Sequence, residues 1–364
     1  MQSDQIPRET FLQNSWYCVS WAADLTNKPV GIRVLGQHLV LYRDDVGNPV
    51  ILDGVCPHRF APLARGRVVG DRLECGYHGL QFDRTGQCVL NPHGQQVVPP
   101  GAGVRSYPAV ERNGAIWAWM GDVDSANPAS IIDFDFVADT ASWASSTGYL
   151  RVEADYRLVI DNLLDLTHGS YIHPKTVGIA DAYAADIKVE HDFFTEGNAV
   201  HANYRVYNAP PSPLFRLFFD APLGNLYAYM RWEPAASLIL DISMTQQEEE
   251  KGGGVLMPSA HLIVPETETS CHYFFAIGRN VDRDNEEKTR EMAEMARRAF
   301  VDEDEPMIEA CEELMDGREF FKLKPLILET DRSGILARRT LGKLIKAERT
   351  SFHSVSESEK EKRS

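Results

Sequence analysis

Two short turns each offer one cysteine and one histidine. They are Cys56-Pro57-His58 and, sixteen residues later, Cys75-Gly76-Tyr77-His78. Zinc accepts two thiolates and two imidazoles, but zinc sites of that composition usually place both cysteines in a C-x-x-C turn and both histidines in a later segment. Here each turn supplies one of each kind. That suits a two-iron cluster in which one iron takes both thiolates and the other takes both imidazoles. Neutral imidazoles in place of thiolates remove negative charge and raise the reduction potential above that of an all-cysteine cluster.

A second group lies in Asp155–His173, DYRLVIDNLLDLTHGSYIH, followed by Pro174. His168 and His173 are five residues apart, and Asp165 and Asn162 step back from His168 at intervals of three. Alone, two histidines on an apolar helix read as core or surface residues. Beside an iron–sulfur motif and acidic neighbours, they suit a ferrous centre, where two histidines and one carboxylate hold one face of the metal and leave the other for oxygen and substrate. A spacing of five does not superpose on a helix of 3.6 residues per turn. The helix is therefore expected to break between the two, at Gly169, with Pro174 turning His173 away from helical dihedrals. Asp165, one turn before His168, is expected to accept from the far ring nitrogen of that histidine, fixing its tautomer.

The elements that must carry these groups fall into two regions. From Asn14 to about Asp122 short β-like runs dominate: Leu39–Tyr42 and Val50–Leu52 flank a turn at Asp44–Pro49, and Arg72–Cys75, Leu80–Asp83, Cys88–Asn91 and Ala115–Met120 follow. Asp122–Ile132 reads as a linker. The second region starts with strand-like Tyr149–Glu153 and the histidine-bearing helix. Six further candidate strands between Ile187 and Arg279 suggest one large antiparallel sheet, followed by helices at about Asn285–Phe300, Pro306–Leu314 and Asp331–Ala347. The expected division is a β domain over 1–125, a larger α+β domain over 126–349, and a polar, disordered tail over 350–364.

Bulk properties narrow the function. The chain has 364 residues and a formal net charge of −16, with no basic patch, which disfavours nucleic acid and anionic membranes. Met1–Thr10 shows no export signal and no apolar run is long enough to span a bilayer, so a soluble cytoplasmic protein is expected. Six scattered cysteines do not form a disulfide framework in that setting.

The run CPHRFAPLARGRVVGDRLECGYHGLQFDRTGQC resembles the Rieske domain of the Rieske non-haem iron oxygenases, in the branch containing vanillate and dicamba O-demethylase oxygenase components. The resemblance continues through NPHG, YPAVERNGAIWAW, DNLLDLTH and AHLIVPETETSCHYFF into the C-terminal helix, and so covers nearly the whole chain. It implies an α+β architecture: an N-terminal all-β Rieske domain and a C-terminal helix-grip-like catalytic domain whose large antiparallel sheet is covered by helices. It implies a [2Fe–2S] cluster on Cys56, His58, Cys75 and His78, and a mononuclear Fe(II) on His168, His173 and a carboxylate within Asp302–Glu305. Asp304 is the residue the family pattern points to, ahead of Glu303 and Asp302. The resemblance also gives Asp165 a bridge to His78 of a neighbouring copy, within a homotrimer, and makes Asn162 part of the site. His261 matches a residue that meets a substrate carboxylate in dicamba-degrading relatives, while Glu233 falls where those relatives hold a neutral amide.

No dinucleotide fingerprint or plant-type ferredoxin spacing is present, so NAD(P)H is used only through a separate flavin/iron–sulfur reductase. The implied reaction is O-demethylation of a methoxylated, vanillate-like aromatic with O2 and release of formaldehyde. Expected pocket residues are Val159, Ile160, Leu163, Phe215, Leu217, Phe218 and Ile242. The alternatives are ring or methyl hydroxylation, N-demethylation or dihydroxylation of another aromatic. A non-catalytic Rieske electron carrier is a further reading, disfavoured because it leaves His168, His173 and Asp304 without a joint purpose.

Overall fold

The structure, a computed structural model, describes residues 10–180, 182, 187–246 and 253–361. Residues 1–9, which carry most of the segment searched for an export signal, and 362–364 of the expected tail lie outside the described residues. Two compact units are present, one ending at Ile131 and including Val264–Thr267, the other made of Ile132–Ile263 and the chain from Glu268 onward. Among the described residues no helix is long and apolar enough to cross a membrane.

The first unit is built from three small antiparallel sheets. One joins Trp16–Trp21, Ala115–Trp119 and Ala109–Arg112; a second joins Val30–Val34, Gln37–Arg43, Pro49–Asp53 and Ser106–Tyr107. The third, Arg67–Val69, Arg72–Glu74, Gln81–Phe82 and Cys88–Leu90, carries the second cysteine–histidine turn between its two central strands. The turn at Asp44–Pro49 forms because the Asp44 carboxylate accepts from the backbone N–H groups of Val46 and Asn48 while Gly47 takes a positive φ of 91°. Val40, Tyr42, Leu52, Leu63, Leu73 and Phe82 pack into a core that also encloses Cys56 and Cys75. Each fully buried Val, Leu or Phe side chain of this core contributes about 1.5–3 kcal/mol, which anchors both ligand turns.

The second unit is organised on an eight-stranded antiparallel sheet. Its path runs Ala144–Val152, Ser270–Arg279, Ser259–Thr267, Ser237–Thr245, Gly224–Glu233, Ala199–Ala209, Lys188–Glu196, with Val255–Leu256 paired to Ser237–Thr245. Strict alternation sorts the side chains: Leu226, Ala228, Met230 and Trp232 point inward from one strand, as do Val200, Ala202, Tyr204 and Val206 from its neighbour.

Among the described residues six α-helices accompany the sheet: α1 (Tyr156–Leu164), α2 (Gly169–Ile172), α3 (Pro213–Arg216), α4 (Glu286–Arg297), α5 (Glu305–Met315) and α6 (Arg332–Glu361). The Asp155 carboxylate caps α1 by accepting from Arg157 N–H. The C-terminal end of α1 is held by α6, where the Ser333 hydroxyl donates to the Leu164 carbonyl and Arg338 pairs with Asp161 at 2.6 Å. Two expectations change here. The helices at Asn285–Phe300 and Pro306–Leu314 are not separate, because a π-helical stretch, Arg298–Asp304, joins α4 to α5. And α6 runs on to Glu361, so the tail expected to be disordered from Thr350 is helical as far as it is described.

Candidate metal centres

The two cysteine–histidine turns are copies of one backbone device. In each, the residue four positions after the cysteine returns its N–H to the cysteine carbonyl (Phe60 to Cys56, Gly79 to Cys75). The cysteine N–H in turn donates to the carbonyl five positions on, Ala61 or Leu80. Closing such a loop requires a left-handed residue, and Phe60 and Gly79 supply φ of 55° and 71°. Both thiols are buried and lie against each other, while the His58 and His78 rings sit side by side with centroids 4.6 Å apart, His58 exposed. Like ligands are thus paired with like, as a cluster with one thiolate-bound and one imidazole-bound iron requires. His78 Nδ1 is buried without a hydrogen-bond partner, which a bound iron would supply. Burial pushes the Cys56 thiol up to about 11, so loading the cluster must displace its proton.

The second site is assembled by three pieces of chain. α1 ends at Leu164, and Asp165 (φ −101°, ψ 85°) turns the backbone into a short 3-10 helix, Leu166–His168, that continues into α2. The break therefore precedes both histidines. Gly169, where the spacing suggested the interruption, is itself helical at φ −55°, and convergence arises because His173 leaves the helix at φ −113°, ψ 28°. The chain then doubles back, with Thr176 and Gly178 N–H groups both donating to the His173 carbonyl. Gly178 is required there, since a Cβ would stand 1.9 Å from the Gly169 carbonyl oxygen.

The third piece is the π-helical stretch. A proline inside an α-helix clashes with the carbonyl four residues earlier, here that of Asp302. The wider turn before Pro306 avoids this, with Glu305 N–H donating to the Phe300 carbonyl five residues back. It delivers consecutive carboxylates to different tasks. Asp304 Oδ1 lies 3.1 Å from His173 Nε2 and 3.6 Å from His168 Nε2, and the ligand atoms of all three residues fall within 4.8 Å of one another. Glu303 accepts from His173 Nδ1 at 2.7 Å and from the Thr176 hydroxyl at 2.6 Å. Asp302 turns outward to Arg297. Asn162 Nδ2 donates to Asp304 Oδ1 at 3.1 Å, orienting it. Burial pulls His173 down, but hydrogen bonds and charge from Asp304 and Glu303 outweigh it and raise the pKa.

Both imidazoles therefore aim Nε2 at one point while Nδ1 is held from behind, an arrangement that presets a metal site. The holder of His168 is not the one expected. Its Nδ1 meets the backbone carbonyl of Asp165, whereas the Asp165 carboxylate accepts from the N–H and hydroxyl of Thr167. Because the helix stops before it, Asp165 caps the 3-10 turn instead of facing His168 along a helix.

Beside these three residues lies a cavity of about 130 Å3. Leu163, Phe215, Ile242, Met230, Met257 and Phe300 are among the residues that line it. Of the expected pocket residues, Val159, Ile160, Leu217 and Phe218 do not line it, Val159 and Ile160 being spent in the packing of α1. Glu233 is excluded by strand parity: Met230 and Trp232 point inward, so Glu233 shares the outer face with Arg231, to which it pairs at 3.4 Å. His261 does line the cavity, but Ser259 and Tyr273 occupy both of its ring nitrogens, and neither of those was anticipated. A signal for Ser259 existed, since S-x-H on a strand places both side chains on one face.

Comparison with known proteins agrees with this architecture. Residues 15–108 match the Rieske [2Fe-2S] domain and residues 152–347 the vanillate O-demethylase oxygenase C-terminal domain. The oxygenase component of chloroacetanilide N-alkylformylase from Rhizorhabdus wittichii is 39% identical over 347 residues, covering 93% of this chain and 97% of that protein. The crystal structure of dicamba monooxygenase bound to 3,6 dichlorosalicylic acid superposes with a TM-score of 0.88 at 34% identity, over 93% of this chain and 99% of that one. Another, of dicamba monooxygenase with non-heme iron and dicamba, gives a TM-score of 0.82 at 32% identity, over 94% and 99%. Paired buried thiols, paired imidazoles and a second site with two histidines and a carboxylate fit the two iron cofactors of such enzymes. The chain belongs to the Rieske non-haem iron oxygenases, in the branch of the vanillate O-demethylase oxygenase components, and is the oxygenase component of a Rieske monooxygenase.

Proposed function

We propose that the enzyme removes a one-carbon alkyl group from a small single-ring aromatic, the methyl of a methoxy group in the first instance, releasing formaldehyde. The observation that carries this reading is the cavity beside His168, His173 and Asp304. Its volume of about 130 Å3 is close to that of cavities of roughly 150 Å3 that hold benzene, and its walls are mostly apolar. Its size favours one ring with small substituents.

In this reading Cys56, His58, Cys75 and His78 hold the [2Fe–2S] cluster, and His168, His173 and Asp304 hold the mononuclear iron. When bound, the two cofactors together supply electron transfer and dioxygen activation. The chain does the rest. Glu303 and the Asp165 carbonyl fix the two imidazoles, Asn162 fixes the Asp304 carboxylate, and the apolar wall excludes water and presents the methyl carbon to the metal side. One methoxy group, one dioxygen, two electrons and two protons balance to a phenol, formaldehyde and water. The electrons come from a separate flavin/iron–sulfur reductase, as the name "oxygenase component" implies for the relatives. The reading includes a ring of three chains in which Asp165 meets His78 of the partner subunit. Support comes from the groove that Asn162, Asp165 and His168 share with the exposed side chains Met307, Leu314 and Ile327.

The similarity to the chloroacetanilide N-alkylformylase favours a second reading, removal of an alkyl group from nitrogen. A panel of methoxy- and N-methyl-substituted benzenes, with reductase and NADH, separates the two. Formaldehyde with a phenol supports the first, formaldehyde with an aniline the second. Ring-hydroxylated product without formaldehyde overturns both.

A further inference from the structure

Ser259 and His261 line the cavity, and Tyr273 stands behind them on the neighbouring strand. His261 Nε2 lies 2.8 Å from Ser259 Oγ, and its Nδ1 lies 2.6 Å from the Tyr273 hydroxyl. All three are buried, at 5%, 2% and 3% exposure, and Phe300 packs edge-on against the imidazole. Burial draws the His261 pKa down to about 3 and holds that of Tyr273 well above its usual value. The trio is therefore a hydroxyl, a neutral imidazole and a phenol. A neutral imidazole has one N–H and one bare nitrogen, so protons can run along this chain in only one of two directions.

If Ser259 donates to Nε2, then Nδ1–H donates to the Tyr273 oxygen, and the phenolic proton is left buried without an acceptor. That costs about 1–3 kcal/mol. If Tyr273 donates to Nδ1, then Nε2–H donates to Ser259 Oγ, and every proton inside the wall is satisfied. The Ser259 proton is then the one turned toward the cavity. The second direction is therefore the favoured one. His261 is thereby a positioning residue with no free nitrogen for substrate.

The charge of the lining points the same way. Among the described residues that line the cavity none is Lys or Arg, so the positive charge there would be the iron's alone, part-neutralised by Asp304. A substrate carboxylate there would be buried with no cationic side chain beside it, which is costly. A carbonyl oxygen needs only the hydroxyl. We propose that Ser259, aimed by the Tyr273–His261 relay, is the substrate's hydrogen-bond donor, and that the substrate offers it an uncharged oxygen acceptor such as an amide or ester carbonyl. This rests on the cavity's being the substrate site, and it replaces the vanillate-like acid expected from the sequence with a neutral relative.

The test is equilibrium binding to the holoenzyme, by calorimetry, of 3-methoxybenzamide, 3-methoxybenzoate and 3-methoxytoluene. The amide should bind about tenfold more tightly than either of the others, the worth of one net hydrogen bond. Ser259→Ala should abolish that preference without changing 3-methoxytoluene binding, and Ser259→Thr should restore it. Tyr273→Phe should weaken it, because no hydroxyl then fixes the imidazole proton on Nε2 and the ring can also accept from Ser259. Benzoate binding as tightly as the amide, an amide preference that survives Ser259→Ala or is undiminished in Tyr273→Phe, or no binding by any of the three overturns the proposal. Formaldehyde is assayed separately. The expected binding pattern with no formaldehyde leaves the relay standing and sinks the dealkylation reading.

Discussion

All four residues of the cluster site come from Cys56–His78, one short stretch whose two turns repeat the same hydrogen bonds and the same left-handed residue. The second site joins His173 to Glu303, 130 positions away, through a helix end and a π turn that exist only once the sheet and helices have packed. In the cluster loops His58 is exposed and His78 half-buried, whereas His173 and Asp304 are 3% exposed. A donor site made by local turns can be lost one ligand at a time. A donor site made by tertiary packing depends as much on the residues that hold the ligands as on the ligands themselves.

The largest effects separate the two sites. Cys75→Ser should remove the visible absorption of the cluster and all turnover while the mononuclear iron stays. Asp304→Ala should do the reverse, retaining the cluster spectrum and losing the second iron and all activity, because the two histidines alone leave the metal underligated. Iron analysis with the visible spectrum reads both. Loss of both metals in either variant would show that the two sites fold as one and would remove the contrast.

Next in size is Glu303→Gln, which keeps the shape but removes the charge that His173 Nδ1 and the Thr176 hydroxyl donate to. Partners behind a metal ligand are worth about 10–100-fold in metal affinity. Iron affinity at the second site should fall by about that factor, measured by competition with a chelator, with the cluster unaffected. Unchanged affinity would mean that packing alone holds the His173 ring.

What the sequence disclosed follows the same division. The cluster residues were legible because turn chemistry acts over five or six positions. His168 and His173 were legible as a pair, but their geometry was not: the break falls at Asp165, and nothing in DLTHGS marks it more strongly than Gly169. Asp304 could be separated from Glu303 and Asp302 only by resemblance, since three adjacent carboxylates differ solely in their phase on a π turn that Pro306 hints at without specifying. Glu233 does not face the cavity, and the signal for that is local. Leu226, Ala228, Met230 and Trp232 alternate inward, and parity alone places Glu233 on the other face.

Acid should also tell the two regions apart. His261 is pulled by burial to about 3 from an ordinary value near 6.5, so the unfolded chain binds a proton that the folded chain refuses. Its contribution to stability is full above pH 6.5 and drains away as pH falls toward 3. Between pH 6.5 and 5 that amounts to about 2 kcal/mol. Urea denaturation at the two pH values should show the second unit losing this much in the native protein and markedly less in His261→Asn. An identical pH slope in the variant would mean that His261 is not held neutral, and would remove the basis for its tautomer.

The smallest effect tests whether the ligand carboxylate needs aiming. Asn162 reaches Asp304 from α1, across 142 positions, and fixes one oxygen with a single hydrogen bond at 3.1 Å. Asn162→Ala leaves a small gap and frees the carboxylate to rotate, but iron itself can still orient it. The net worth of such a bond is about 1 kcal/mol, so affinity for iron should drop by about fivefold. Among the described residues the cluster site has no counterpart to this one, because its turns fix their ligands through backbone bonds that side-chain substitution leaves intact. A loss as large as that of Glu303→Gln would show that Asn162 does more than orient Asp304. No loss would show that the buried wall around Asp304, not α1, sets the angle at which it meets the metal.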